Sequence, residues 1–275
     1  MGINIIGMMW NKNEGDILAE IISEAVKHVD LLYIADDGST DNSWEIITSL
    51  KKRYDKIEFI QRNPNKNDPG QRQALLTEIR KRYKSDVWIQ IIESDIMIVD
   101  TDVREAIEKF AVNDLAVTWQ MLNAVRAQGT WAEVDTYPVW DRSIKEIMPL
   151  AHRTECMVYT FKNLPDLYYT PVWRPWPSGF SRYTKSKIDI DRREPDSPLL
   201  AHYGFRGIKH FQKKYHTMGK RHRRYPTWDL SSLESIEQTV PYFNGQWNGR
   251  AYLMGRKSWT SWLENKRRGV WKEEQ

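Results

Sequence analysis

The feature that most constrains this chain is a rhythm running from Ile3 to Met121, in which short apolar runs alternate with segments of helical period. Ile3 to Met9 reads as a buried strand, and Asp16 as the cap of a helix whose Leu18, Ile21, Ile22, Ala25 and Val29 share one face. Leu31 to Ala35 is a second strand. Asn42 with Glu45 has the spacing of a capping box, and Trp44, Ile47, Leu50 and Tyr54 form the stripe of the helix behind it. Ile57 to Gln61 is a third strand, and Asn63 to Gly70 a turn-rich loop with two prolines. A helix follows over Gln71 to Tyr83, with Leu75, Leu76, Ile79 and Tyr83 inward, and then a strand over Val87 to Ile92. A helix from Asp102 to Val112 and a strand from Leu115 to Met121 complete the series. Repeated strand–helix–strand units imply a parallel sheet with right-handed crossovers, and such sheets bind ligands beyond the carboxyl ends of their strands.

Beyond Gly129 the periodicity weakens, and prolines and aromatics crowd together in Pro171-Val172-Trp173-Arg174-Pro175-Trp176-Pro177. The expected organisation is an α/β subdomain over 1–128 with an aromatic- and basic-rich elaboration over 129–275 packed on it. Cys156 is the only cysteine, which excludes an intrachain disulfide and a cysteine zinc cluster and fits a reducing, cytoplasmic setting. The N-terminal run lacks a basic flank and reads as a strand rather than a signal peptide. Ile6 stands where a myristoylation signal needs Ser or Thr. No stretch approaches the roughly 20 apolar residues of a membrane span. The net charge of +4 is small, but Arg206 to Arg224 holds Lys209, Lys213, Lys214, Lys220, Arg221 and Arg223 without an acidic residue. Interleaved with Tyr203, Phe205, Phe211, Tyr215 and Tyr225, that stretch suits a polyanion, an anionic lipid headgroup at a membrane surface, or plain solvation.

Two acidic clusters fall at strand ends. Asp36-Asp37-Gly38-Ser39-Thr40-Asp41 follows the second strand. A helix cap explains Asp41 and Asn42, but not the adjacent pair Asp36-Asp37, which can accept hydrogen bonds from ribose hydroxyls or a base N–H. Glu93-Ser94-Asp95 follows the fourth strand, and two carboxylates at that spacing suit a hard divalent cation, Mg²⁺ or Mn²⁺, bridging a diphosphate.

Asn13-Glu14, then Asp36-Asp37-Gly38-Ser39-Thr40-Asp41-Asn42-Ser43, then Gly70 to Ala74, then Glu93-Ser94-Asp95 occur in order. The series resembles the family 2 glycosyltransferases over roughly Met1 to Asp100. The resemblance implies a GT-A fold, an α/β architecture with a mostly parallel central sheet flanked by helices. It also implies transfer of a sugar from a nucleoside-diphosphate donor to an acceptor hydroxyl, with inversion and with a divalent metal. By the same resemblance Asn13, Glu14, Asp36 and Asp37 hold the nucleoside, and Gly70, Arg72, Glu93 and Ser94 complete the donor site. Asp95 is the metal ligand, joined by Glu93 and by His202 from the second half. Glu93 departs from the family's Asp-x-Asp by one methylene. Asp135, Glu133 and Asp141 lie where the family provides its general base, Asp135 first among them, with Asp189 and Asp191 in reserve. Trp173 and Trp176 suit stacking on a sugar, and Arg174 and Arg182 suit phosphates.

The acceptor is open between a glycan, a lipid-linked glycan, a protein and a nucleic acid. The alternative reading is a non-catalytic binder of nucleic acid or another polyanion on a degenerate transferase fold, for which the Glu-for-Asp change is the motive. A nucleotidyltransferase lacks its Gly-rich loop here, and a dinucleotide dehydrogenase lacks G-x-G-x-x-G between Trp10 and Asp16.

Overall fold

The structure, a computed structural model, describes residues 4–63, 68–99, 101–111, 113–125, 143–144, 148, 150–170, 175–183, 198–204 and 252–253. The chain divides into two compact units. The first comprises Met1–Met121 with Glu155–Leu200, and the second Leu122–Thr154 with Ala201–Gln275.

The first unit is built as the alternating pattern requires. Strands β1 (Asn4–Asn11), β2 (Leu31–Asp36), β3 (Ile57–Arg62) and β4 (Val87–Glu93) are separated by helices α1 (Leu18–His28), α2 (Ser43–Arg53) and α3 (Asp68–Arg82). β1 pairs in parallel with β2 and β4, and β2 in parallel with β3. Ile5, Ile6, Met8 and Met9 on consecutive positions of β1 are all buried, as expected of a strand covered on both faces. Further along the chain come β5 (Ile96–Val99), α4 (Val103–Phe110), β6 (Ala116–Val125), β7 (Leu150–Lys162) and β8 (Leu199–His202). The strand order is β3-β2-β1-β4-β7-β6-β8-β5, with β7 antiparallel to β4. In the second unit β9 (Tyr252–Leu253) pairs antiparallel with Leu150 and Ala151 of β7.

The parallel register fixes the working edge. Asn11 stands beside Asp36, Asp36 beside Arg62, and Trp10 beside Glu93. The chain moves outward from β1 to β2 and β3, then returns to place β4 on the other side of β1. Strand order therefore reverses between β1 and β4, and the crevice that such a reversal opens lies at these carboxyl ends.

Helix starts differ from the sequence expectation. α1 begins at Leu18 behind Ile17, without a side-chain cap; Asp16 does not serve, and the Glu14 carbonyl accepts from Ile17 N and Leu18 N at 3.1 and 3.0 Å. Asn42 gives α2 no side-chain cap either, so the capping box is not made. Asp41 Oδ1 accepts from Ser43 N at 3.0 Å instead. α3 starts at Asp68 and takes in Pro69 and Gly70, since a proline in the first turn gives up only an N–H that had no partner there. Asp102 does cap its helix, α4, accepting from Arg104 N at 2.8 Å and Glu105 N at 3.3 Å. The strand β5 was not foreseen.

Among the tryptophans, Trp88 and Trp119 are core residues. Trp119 Nε1 donates to Thr160 Oγ1 at 2.7 Å, and the Thr160 hydroxyl donates to Gln90 Oε1 at 2.6 Å, all three residues being buried. Thr160→Val keeps the shape but leaves two buried polar groups unpaired, at about 1–3 kcal/mol each. Urea denaturation should show Thr160→Val destabilised by roughly 2–6 kcal/mol and Thr160→Ser near the native value.

Candidate active site

The site begins with Asp36, the last residue of β2, whose side chain is completely enclosed. Its Oδ1 accepts from Ser39 N at 2.9 Å and lies 3.6 Å from Arg62 Nε, while Oδ2 accepts from Asn11 Nδ2 at 2.8 Å and from the Ser39 hydroxyl. Arg62 Nη2 also donates to the Ser39 carbonyl at 2.8 Å. Asp36 therefore ties the ends of β1, β2 and β3 to the turn that follows. Gly38, at φ 70°, makes that turn with the left-handed conformation glycine adopts without strain.

Ser39 and Thr40 carry the order across to the β1–α1 loop. Asn13 N donates to Ser39 Oγ at 2.9 Å, and Asn13 Oδ1 accepts from Thr40 N at 2.7 Å, with Asn13 itself at φ 56°. Glu14, also buried, donates its N–H to Ser43 Oγ at 3.2 Å. Gly15 N donates to Asp41 Oδ2 at 3.1 Å; a Cβ there would stand 2.1 Å from Asn42 Oδ1. Asn13 and Glu14 are thus built into one unit with the Asp-Asp-Gly-Ser turn.

Asp37 is held from two sides. Its Oδ2 accepts from Lys12 Nζ at 2.7 Å and its Oδ1 from Gln71 Nε2 at 3.0 Å, Gln71 also donating to the Asn63 carbonyl at 2.6 Å. Lys12 is 38% exposed and Asp37 6%, so the Lys12 end of this pair is the one that opens to solvent. Gln71 and Arg72 arrive on the N-terminal turns of α3, directly after Gly70, and both are buried.

At the end of β4, Glu93 Oε1 accepts from Arg72 Nη2 at 2.9 Å, and the Arg72 guanidinium lies 6.0 Å from the centre of the Trp10 ring. Ser94 and Asp95 are buried beside them. Tyr159 of β7 joins the group. Burial pushes its hydroxyl well above the usual tyrosine range, and the charge of the Glu93 carboxylate pushes the same way, so the phenol stays protonated; its hydroxyl contacts Met121 Sδ at 3.9 Å. Lys12, Gln71 as a side-chain donor, and Tyr159 were not singled out from sequence. Lys12 and Gln71 lay inside recognised segments, whereas Tyr159 carried no sequence signal.

For a divalent cation the donor set is lean. Among the described residues no three His, Cys, Asp or Glu side chains converge. Glu93 is engaged by Arg72, and Asp95 is the second carboxylate of this segment. Mg²⁺ or Mn²⁺ bound with a nucleotide takes one or two protein carboxylates and completes its shell with phosphates and water, so Asp95 with a diphosphate fits. His202, in the second unit, has Nδ1 2.8 Å from Asn123 Oδ1. With Nδ1 donating to that amide oxygen, the neutral ring would offer Nε2, the nitrogen a metal takes. A Cβ on Gly204 would stand 2.5 Å from that Nε2, so a side chain there would crowd the ring.

Trp176 is half-buried, and Arg182 is an exposed partner of Asp166 at 3.5 Å. Asp135, Glu133, Asp141, Asp189, Asp191, Trp173, Arg174 and the basic stretch lie outside the described residues.

The model of glycosyl transferase family 2 matches residues 8–170, more than half of the chain, and the chain belongs to that family. The sheet is the GT-A arrangement of the first unit. No curated protein sequence matches significantly. Among solved structures, the mannosyltransferase PcManGT of Pyrobaculum calidifontis, in complex with GDP-Man and Mn²⁺, is 10% identical with a TM-score of 0.35 over 46% of this chain and 36% of that one. TarS 1-349 of S. aureus, in complex with UDP, is 10% identical with a TM-score of 0.39 over 97% and 92%. Glucosyl-3-phosphoglycerate synthase of Mycobacterium tuberculosis, in complex with Mn²⁺, UDP and phosphoglyceric acid, is 14% identical with a TM-score of 0.31 over 59% and 56%. The chain spans about a third of the length of the mannosyltransferase it matches, 36%.

Asp36→Asn turns an acceptor toward donors at a fully enclosed position. Urea denaturation should register a loss of about 2–4 kcal/mol. Asp37→Asn, at the edge opened by Lys12, should cost less than about 1.5 kcal/mol.

Proposed function

We propose that this protein transfers a sugar from a nucleoside-diphosphate donor to an acceptor hydroxyl, with inversion at the anomeric carbon and with a divalent cation, Mn²⁺ or Mg²⁺. The observation that carries the reading is the junction at the β1–β4 reversal, where the turn built on Asp36 and the end of β4 meet α3. The ligand crevice of an open α/β sheet is expected at that point.

In this reading Asp36 builds the pocket and Asp37 meets the nucleoside. Asp37 already accepts from Lys12 and Gln71, and a ribose hydroxyl or base N–H takes the place of the mobile ammonium on its Oδ2. The Lys12 ammonium is then available to an anionic part of the donor. Asn13 and Glu14 form the wall facing the turn, and Gly70 admits the donor where α3 begins. Ser94 and Asp95 lie at the diphosphate, with Asp95 holding the cation, and His202 is the further ligand proposed. When bound, the cation neutralises the charge that develops on the departing diphosphate. The general base remains Asp135 or Glu133, with Trp173, Arg174, Trp176 and Arg182 on the acceptor side. A glycan, lipid-linked or other hydroxyl acceptor fits this chemistry.

No helix among the described residues is long and apolar enough to cross a membrane. A cytoplasmic site of action, at a membrane surface or away from it, is part of the proposal.

The test is release of nucleoside diphosphate from a panel of UDP-, GDP-, TDP- and CDP-sugars, with Mn²⁺, with Mg²⁺ and with chelator. One donor class should be turned over in a metal-dependent way, and Asp95→Ala should lower the rate by about a hundredfold or more, the scale of losing a group that stabilises transition-state charge. A folded native protein that turns over none of them would remove the proposal.

A further inference from the structure

The sequence places Glu93 at the first carboxylate position of a metal-binding pair, but its surroundings give it other work. Arg72 is 2% exposed, and a guanidinium does not lose its proton. Such a group is tolerated only with a carboxylate partner and filled donor positions. The Arg72 side chain lies against the Trp10 ring on β1, while Glu93, beside Trp10 on β4, accepts from its Nη2. The phenol of Tyr159 on β7, whose hydroxyl contacts Met121 Sδ at 3.9 Å, lies in the field of the Glu93 and Asp95 carboxylates. Three strands and a helix thus converge on one glutamate. The extra methylene of Glu relative to Asp supplies the reach back to α3. A dication on Glu93 would share its carboxylate with Arg72, and two positive centres at coordination distance repel strongly in a buried setting.

We infer that Glu93 is a positioning residue, not a metal ligand. It anchors Arg72 and the start of α3 to the end of β4, and the cation takes Asp95 as its single carboxylate from this segment. The inference rests on the donor-binding reading above and specifies how that site holds its metal. The anchored helix start also carries Gln71, whose amide holds Asp37, so the Glu93–Arg72 pair links the diphosphate end of the site to the nucleoside end.

The test uses the full chain with two readouts. Mn²⁺ affinity is measured by electron paramagnetic resonance with UDP and with GDP, and folding is measured by urea midpoint in chelator. The proteins are native, Glu93→Gln, Asp95→Asn, Arg72→Met, and Glu93→Gln with Arg72→Met. Asp95→Asn should weaken Mn²⁺ binding by about tenfold or more, as loss of a coordinating carboxylate does, with Glu93→Gln staying within about threefold. Glu93→Gln should lower the urea midpoint, because it strands a buried charge, and adding Arg72→Met should recover most of the loss. Equal weakening of Mn²⁺ binding by Glu93→Gln and Asp95→Asn, or additive effects of Glu93→Gln and Arg72→Met on the midpoint, would overturn the inference. Native protein that binds no Mn²⁺ with either nucleotide fails the donor-binding reading, and the coupling measured in chelator then decides the pair by itself.

Discussion

The enclosed carboxylate of Asp36 is the interaction on which the rest of the site depends. It is a charge removed from water, and it is stable there because an asparagine, a serine hydroxyl, a backbone N–H and an arginine all point at it. Those partners come from β1, β3 and the following turn. Satisfying one buried charge therefore fixes three segments relative to one another. The turn in its place orders Asn13 and Glu14 through Ser39, Thr40 and Ser43. A turn assembled in this way pays its ordering cost during folding.

The same logic recurs one strand away. Glu93 is to Arg72 what Arg62 and Asn11 are to Asp36, a buried partner that converts a costly charge into a positional constraint. Between the two lies Gln71, donating to Asp37 and to the Asn63 carbonyl, so that the Asp36 turn and the end of β4 share one helix start. The antiparallel strand β7 closes the arrangement from the far side of β4. It brings Tyr159 to Glu93, and the Trp119–Thr160–Gln90 chain to the middle of the sheet.

Much of this was legible in the sequence where the chemistry is local. The apolar runs gave β1 to β4 within a residue or two, because strands covered on both faces need continuous hydrophobic residues. The Asp-Asp-Gly-Ser run marked the turn that Asp36 organises, because the adjacent carboxylates stand out at a strand end where a helix cap accounts only for Asp41. What required the register was hidden. That Asn11 and Arg62 flank Asp36 follows from strand pairing, not from any pattern along the chain. Tyr159 could not be foreseen, since only the fold brings β7 beside β4. Asp16 and the Asn42–Glu45 pair misled because a capping pattern describes a capacity. Here Asp41 already serves the start of α2, and the Ser43 hydroxyl is taken by Glu14. β5 escaped because four apolar residues after an acidic cluster look like the tail of the preceding strand.

The central claim is that the turn anchored by Asp36 presents Asp37 to the donor's nucleoside. Its most direct test is calorimetric titration of UDP and GDP into native protein and Asp37→Ala, with urea midpoints recorded for both. One nucleotide should bind the native protein, and Asp37→Ala should weaken it by about ten- to a hundredfold, the scale of a hydrogen bond to a charged group, with folding largely intact. Unchanged affinity in a well-folded Asp37→Ala protein would contradict the account.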